Sequence, residues 1–296
     1  MKLRYFLLMM IFSPVLLSAQ SNANMSFLSH FSSPVGQRLT SFSYLNYPEY
    51  FTDNPALLAN MQLPQVSVFS DYAYSLQMPV VNAAFSIPTQ LMNLGISANY
   101  MTGGNIDKTA FVNGRPKVVG KVSYKNYRLS LYSAKNIGDI IYAGLKTNFI
   151  ERHIDTNFAQ SISFSPAVIT TYKKLVYVSV SAPNIISTGF KWSSGLYEKI
   201  PFSFNTELYY RLAKYNLTHI LEYDYSPNEF KTMVLYEPTL HFAAGASYST
   251  DLHTFNNEGI TFIYRDKNYN LTYTFEYSAL FIKNSVMLTY FWRPAK

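Results

Sequence analysis

The stretch that decides the fold is Tyr269–Ser278, with the sequence YNLTYTFEYS. Every odd position in it is aromatic or leucine, and every even position is Asn, Thr, Glu or Ser. A period of two residues is typical of a β-strand with one apolar and one polar face. Its length also suits a tilted strand that crosses a bilayer, which needs about 9–11 residues. The stretch therefore predicts a membrane-spanning strand with its Tyr/Phe face toward lipid and its polar face toward a lumen.

Similar alternation recurs from Gln65 to Trp292, most clearly in Phe202–Leu212. A spanning strand with its share of the loops takes roughly 15–18 residues, so residues 65–296 allow about 13 to 15 strands. Bacterial barrels have even strand numbers, which favours 14. The predicted fold is all-β, a transmembrane antiparallel β-barrel of about 14 strands. A soluble propeller or sandwich could share the alternation, but it would carry charged residues on the face that is Tyr, Phe and Leu here.

Two features interrupt the alternation. Thr102-Gly103-Gly104-Asn105 indicates the start of a longer loop that runs to about Pro116, and Lys125-Asn126 resembles a tight polar turn. We expect these residues to connect separate strands.

The composition agrees with an exported membrane barrel. Aromatic residues make up 17% of the chain, and charged residues only 14%, against roughly 25% in ordinary soluble domains. No segment after the N-terminal region reaches 18 consecutive apolar residues, so helical membrane spans are not expected. There is no cysteine, which excludes disulfides, cysteine metal sites and a lipid anchor at the N-terminal cleavage site.

The first 20 residues have the pattern of a secretory signal peptide: Lys2 and Arg4, an apolar run from Tyr5 to Leu17, and then Ser18-Ala19-Gln20. A transmembrane helix is the alternative, but the run is shorter than the roughly 20 residues that a span needs. Export followed by barrel insertion predicts the bacterial outer membrane as the location, with its lipid as a partner. Without residues 1–20 the formal charge is +5, spread along the chain, which does not resemble a nucleic-acid binder.

Residues 21–64 show no strand period but contain one short helix signal. Asp53 or Asn54 can cap a helix, and Pro55 suits its first position. We interpret the segment as an irregular plug or hatch in the barrel. A mobile exposed leader is the alternative, which the apolar residues between Phe42 and Phe51 make less favourable. The predicted organisation is 1–20 signal peptide, 21–64 N-terminal hatch segment and 65–296 barrel.

No motif for catalysis stands out. The five histidines lack metal-ligand spacing, and there is no nucleophile elbow, phosphate loop or dinucleotide fingerprint. A hydrolase whose Ser and His meet across strands is conceivable, but only isolated histidines would support it. The expectation is a protein that is not an enzyme, with no metal and no cofactor.

Polar residues opposite the apolar faces carry both charge signs and are expected to line the lumen as pairs. Either they are structural and hold barrel and hatch together, or some of them bind a ligand. The candidate ligand-binding or plug residues are Asn54, Pro55, Arg128, Lys146, Glu207, Arg211, Glu222, Asp224, Arg265 and Glu276.

Five short motifs together resemble the FadL-like outer-membrane proteins, and within them the PorV/PorQ-type proteins of Bacteroidota associated with type IX secretion. These motifs are Asp53-Asn54-Pro55-Ala56-Leu57-Leu58, Gly95 to Tyr100 followed by Gly103-Gly104, Tyr142 to Asn148 (YAGLKTN), Pro183-Asn184-Ile185, and Lys199-Ile200-Pro201-Phe202.

The resemblance implies one of two main functions. PorV/PorQ-type proteins act as non-enzymatic partners of other outer-membrane or secretion-machinery proteins, and the sequence is interpreted first in that sense. FadL relatives instead pass hydrophobic small molecules through an opening in the wall, past an N-terminal plug, which is the alternative. A purely structural barrel is a third reading.

Overall fold

A computed structural model describes residues 47–73, 78–112, 114–138, 140–225, 228–250, 256–278 and 282–293. The predicted signal peptide and the part of the predicted hatch before Tyr47 lie outside these residues.

The described chain forms seventeen β-strands in one sheet. Their bounds are β1 Gln65–Ala73, β2 Met78–Ile87, β3 Asn93–Val112, β4 Arg115–Ile137, β5 Ile141–Ile154, β6 Asn157–Tyr172, β7 Val176–Ser181, β8 Ile186–Ser187, β9 Phe190–Trp192, β10 Tyr197–Glu198, β11 Asn205–Leu212, β12 Leu217–Asp224, β13 Glu229–Tyr236, β14 Phe242–Thr250, β15 Asn256–Arg265, β16 Tyr269–Ser278 and β17 Ile282–Phe291.

Fourteen of these strands, β1 to β7 and β11 to β17, are successive antiparallel neighbours around a barrel. The barrel closes because β1 pairs with β17 from Gln65↔Phe291 to Ala73↔Lys283. The predicted all-β fold with 14 transmembrane strands is thereby confirmed. Trp292 N donates to Pro64 O at 2.8 Å, so the first and last strands begin and end at one rim, called here the terminus-side rim. The opposite end is the far rim.

The faces of β16 are those that its alternation predicts. Its five apolar side chains point outward with exposed fractions of 36–55%, while the polar residues from Asn270 to Glu276 are at most 5% exposed. Similar outward Val, Leu, Ile, Phe and Tyr side chains surround the barrel. Closure pairs the strand edges that would otherwise be free in lipid, where an unpaired backbone group is costly.

The predicted loop after Thr102 and the predicted turn at Lys125-Asn126 are wrong. β3 continues to Val112 and β4 runs without a break from Arg115 to Ile137. The Gly-Gly pair lies at a register irregularity within the hairpin, between Gly103 and Ile106, and not at its turn. Lys125 is exposed and Asn126 is fully buried, so the two polar residues lie on opposite faces of one strand.

In the part of the chain that the structure describes, helical structure is limited to short 3-10 turns at Pro48–Tyr50, Pro55–Asn60 and Ala213–Tyr215. None of the described helices is both long and apolar enough to cross a bilayer. The turn at Pro55 has the predicted start, because Asn54 Oδ1 accepts a hydrogen bond from Ala56 N at 2.9 Å and Pro55 occupies the first position.

Candidate functional site

Residues 47–64, called here the hatch, lie inside the lumen. Asn54 Nδ2 donates to Ser179 Oγ on β7 at 2.9 Å, and Asn93 Nδ2 on β3 donates to Leu58 O at 2.7 Å. On the opposite wall, the hydroxyls of Tyr50 and Thr272 of β16 share a hydrogen bond. Contacts on several sides of the barrel identify this segment as a plug and not an exposed leader.

The hatch also fits closely against the wall at two glycines. A Cβ built on Gly144 of β5 would overlap the carbonyl group of Pro55, so only glycine allows the backbone of the hatch to lie there. A Cβ on Gly95 of β3 would lie 2.8 Å from the Phe51 ring. Phe51 is fully buried and meets Tyr132 edge to face, with ring centroids 4.9 Å apart. Both glycines belong to motifs that carry the family resemblance.

Arg265 ties the start of the hatch to β15. Its guanidinium carbon lies 3.4 Å from the centroid of the Tyr47 ring, and one of its nitrogens is 4.0 Å from Glu49 Oε1. Asn270 Nδ2 also donates to Glu49, and the Tyr47 hydroxyl donates to Glu237 Oε1 at 2.8 Å. Burial raises the pKa of the Glu49 carboxyl above its usual range, although Arg265 opposes the shift. The positive charge of Arg265 therefore compensates a carboxyl group that has little access to water.

Arg128 of β4 and Lys146 of β5 are buried beneath the middle of the hatch. Lys146 Nζ donates to Thr52 O at 2.9 Å and lies 5.5 Å from the centroid of the Tyr132 ring. Asp53 is within electrostatic reach of both cations. The two predicted cations thus face the hatch. This arrangement is expected if the lumen charges are structural and hold the barrel and the hatch together.

A second polar group lies on β11 to β13, in the far half of the lumen. Glu207 and Glu222 are directly opposite each other on paired strands, where two carboxylates repel. Lys231, which the sequence reading did not single out, lies 3.9 Å from Glu222 and 3.2 Å from Glu229. Asp224 accepts a hydrogen bond from Ser203 Oγ at 3.0 Å.

Glu276 and Arg211 lie outside these two polar groups. Glu276 of β16 lies 3.7 Å from Lys283 Nζ, which is also 3.4 Å from Asp71 on β1, so this cation links three strands across the closure. Arg211 is half-buried at the terminus-side end of β11, apart from these groups. Lys231 and Lys283 were not predicted as lumen residues, although both occupy inward positions of alternating strands. The alternation in the sequence could have identified them.

The wall is interrupted between β7 and β11. β8 and β9 remain paired with β6, but on the other side residues 184–189 make no backbone hydrogen bond to the chain from Lys199 to Phe202. The bond nearest this gap is Ser203 N to Pro183 O, at 3.2 Å. We call the edges at 183–189 and 199–203 the seam.

The sequence of the seam explains the lost pairing. Pro183 and Pro201 have no N–H group to donate to a ladder. Asn184 has φ 57° and Gly189 φ 66°, left-handed conformations that bend a strand out of register. The Tyr197 ring covers Gly189 so closely that a Cβ there would overlap it. Both prolines belong to motifs that were singled out only for their resemblance.

Apolar groups lie on both sides of the seam. Inside, Phe190 and Ile200 pack with Ile150 and Ala159, and all four are at most 4% exposed. Arg152 caps this cluster, with its guanidinium carbon 4.1 Å from the centroid of the Phe190 ring and an ion pair to Glu198 at 3.2 Å.

Outside, a groove of about 560 Å³ lies on the lipid-facing surface of β4 to β6 and reaches the strands that border the seam. Its floor is apolar, with Tyr127, Leu129, Phe149 and Ile162, and its polar edge is formed by Glu151, Gln160, Thr188 and Lys191. The groove is open to the outside and not an enclosed cavity.

The sequence matches no protein-family model, and no curated protein is significantly similar to it. Solved structures do share its architecture. The toluene transporter TbuX of Ralstonia pickettii superposes with a TM-score of 0.65 at 9% identity, over 90% of this chain and 100% of its own. The CymD monoaromatic hydrocarbon channel gives 0.62 at 9% identity, over 89% and 98%. The Pseudomonas putida toluene transporter TodX gives 0.58 at 8% identity, over 87% and 96%.

At these identities the likeness shows the fold alone. The chain has a FadL-like β-barrel fold, the fold of these transporters and channels. These neighbours do not test the resemblance to the PorV/PorQ-type proteins or a part in type IX secretion.

Proposed function

We propose that this protein passes an apolar small molecule from the far mouth of the barrel into the outer membrane through the seam. The observation that carries the proposal is the interrupted wall, which has apolar residues on its lumen side and an apolar groove on its lipid side. The structural neighbours support the substrate class, since they are described as toluene transporters or hydrocarbon channels. This was the alternative reading of the sequence.

The polar groups of the lumen favour an exit through the side. Below the far mouth, an apolar molecule would meet the Glu207, Glu222 and Lys231 group and the hatch, whose Asn54 is bonded to Ser179, the residue paired with Glu207. A path sideways past Phe190 and Ile200 avoids both and meets the Arg152–Glu198 ion pair at the edge of the apolar cluster. A molecule that leaves through the seam enters hydrocarbon, where about 25 cal/mol is gained per Å² of apolar surface removed from water.

The experiment tethers the seam shut. Because the chain has no cysteine, Ile185→Cys with Phe202→Cys creates a unique pair on the outward, half-exposed edges of the seam. A short reducible linker joins the two thiols in bacterial cells that express the protein, and the initial uptake of radiolabelled toluene is measured. We expect uptake to fall to the rate of cells without the protein and to recover on reduction.

A matched pair controls for the linker itself. Val178→Cys with Leu208→Cys lies in the paired part of the same two strands, where tethering changes nothing. Toluene uptake that survives the seam tether, or that falls equally with the control tether, would contradict the proposal.

The secretion-partner role stays a prediction of the sequence. Recovery of a secretion-machinery protein with this barrel from detergent extracts, in cells where tethering leaves toluene uptake unchanged, would favour that role over transport.

A further inference from the structure

The hairpin of β3 and β4 extends well beyond the barrel. β2 last pairs with β3 at Met101, and β5 last pairs with β4 at Tyr124, yet β3 and β4 go on pairing with each other to Arg115. Nine residues of β4 thus project past the far rim, or roughly 30 Å at about 3.4 Å per residue. We call residues 104–122 the ribbon.

Nothing in the described structure supports the ribbon from the side. The exposed fraction is 81% for Phe111, 53% for Val118 and 51% for Val119. An isolated two-stranded hairpin is marginally stable in water. Exposed apolar side chains on such an element are typical of a surface that another phase or molecule covers.

Positive charge is concentrated on the same hairpin. Residues 104–122 contain four Lys or Arg against one acidic residue, a net +3 of the formal +7 of the whole chain. The interpretation that the excess is spread along the sequence is therefore wrong for this part of the chain, because a net +3 lies on one short projecting element.

The register separates the two kinds of residue. Ala110 pairs with Lys117, and alternation along β3 and β4 puts Lys108 and Arg115 on the same face as this pair. Phe111 pairs with Pro116, and Thr109 with Val118, on the other face. The outer part of the ribbon, from Lys108 to Val118, is thus amphipathic, with one cationic face and one apolar face that point in opposite directions. Lys121 lies closer to the barrel, beyond a register shift, and pairs with Asp107.

We propose that the ribbon binds an anionic, phosphate-bearing lipid surface, with Phe111 and Val118 against the headgroup layer and the cations within its electrostatic field. The combination of apolar and basic groups favours lipid, since an acidic peptide would engage the cations and leave Phe111 exposed. The chain also spans a membrane whose surface the ribbon can reach. Because long extensions of bacterial barrels face outward, the phosphate would be that of the outer leaflet.

The strength of the effect follows from the charges. Each Lys or Arg near an anionic leaflet contributes about fivefold to partitioning, so three substitutions should weaken binding by about 100-fold. Phe111 alone would not discriminate between neutral and anionic lipid. Dependence on lipid charge is therefore the property to measure.

The test places one environment-sensitive fluorophore on Thr109→Cys, a unique thiol on the apolar face. The protein is reconstituted in phosphatidylcholine nanodiscs with or without phosphatidylglycerol, and quenching by brominated acyl chains is recorded. We expect quenching only with phosphatidylglycerol, and its loss in high salt. Lys108→Gln, Arg115→Gln and Lys117→Gln together should abolish it, while Lys173→Gln, Lys174→Gln and Lys214→Gln at the terminus-side rim should not.

Three outcomes would overturn the proposal. The fluorophore could remain in water in both nanodiscs, be quenched equally in both, or become shielded only on addition of an acidic polypeptide, which would indicate a protein partner. A fluorophore on Ser194→Cys, in an exposed far-rim loop, reports non-specific adsorption. Heat-modifiable gel mobility verifies that each variant has a folded barrel, which the ribbon lies outside.

Discussion

The wall from β14 to β17 and the wall from β7 to β11 are built differently. In the first, successive strands pair over nine consecutive residues with no break. In the second, the pairing stops after six residue pairs and resumes as two pairs between β9 and β10. Both walls keep an apolar outer face, so lipid exposure by itself does not dictate an unbroken ladder.

The difference teaches that side-chain hydrophobicity does not decide where this wall is continuous, and that a single proline does not break it, since Pro166 lies within the unbroken β5–β6 pairing. The continuous wall has no proline between Phe242 and Phe291. The interrupted wall has Pro183 and Pro201 on its two facing edges. The hatch also contacts the two walls differently. Its backbone lies close to Gly144, two strands from the seam, whereas the continuous wall contacts it through Arg265 and polar hydrogen bonds.

The largest expected effect is on the continuous wall. Phe275→Arg should lower the free energy of unfolding by about 2–4 kcal/mol, the cost of a cation at the bilayer midplane. Urea titration in lipid vesicles measures it. The control is Tyr277→Arg, two residues along the same face and nearer the interface, with an expected cost of about 0–1 kcal/mol. Equal losses would mean that β16 is not embedded at the depth its faces indicate.

A smaller loss of stability is expected on β5, two strands from the seam, where the hatch lies against the wall. Gly144→Ala forces the Pro55 backbone away from β5 and should cost about 1–3 kcal/mol, as overpacking does. Limited proteolysis of residues 47–64 should also become faster. Gly120→Ala is the matched control, since a Cβ there meets nothing within 4 Å. Unchanged proteolysis in Gly144→Ala would show that the hatch does not depend on this contact.

The smallest effect should come from proline at the seam. Phe202 and Leu288 are outward residues with 51% and 50% exposure, but only Leu288 lies between two paired strands. Relative to alanine at the same position, Leu288→Pro should cost about 1–3 kcal/mol, because it leaves a partner carbonyl without its donor. Phe202→Pro should cost less than about 0.5 kcal/mol, as substitutions away from structured contacts do. A similar loss of stability at both positions would indicate that the wall is continuous at the seam, which contradicts the prediction.

Much of the barrel could be predicted because strand alternation is local. The faces of β16, the strand number and the cap of the short helix at Asn54 all follow from neighbouring residues. The hairpin was mispredicted for the same reason: Gly103-Gly104 and Lys125-Asn126 have turn-like composition, but pairing along the hairpin overrides that local preference.

The lumen charges were predicted as a class and not as partners. Alternation turns Glu207, Glu222 and Glu276 inward, but it does not say that Lys231 and Lys283 lie beside them. Those pairs form across strands, so they depend on the register of the closed barrel. A ligand role for any of these residues stays a prediction.

The sequence by itself determined a membrane barrel with an aromatic outer face, since a period of two needs only the geometry of a single strand. Only the tertiary structure decided that the hatch lies against Gly144, that the seam divides β7 from β11, and that the basic ribbon projects alone. Each of these depends on which distant segments meet when the sheet closes. The opening strand thus fixes the lipid face, and the two prolines of the seam mark where the pairing of the wall is interrupted.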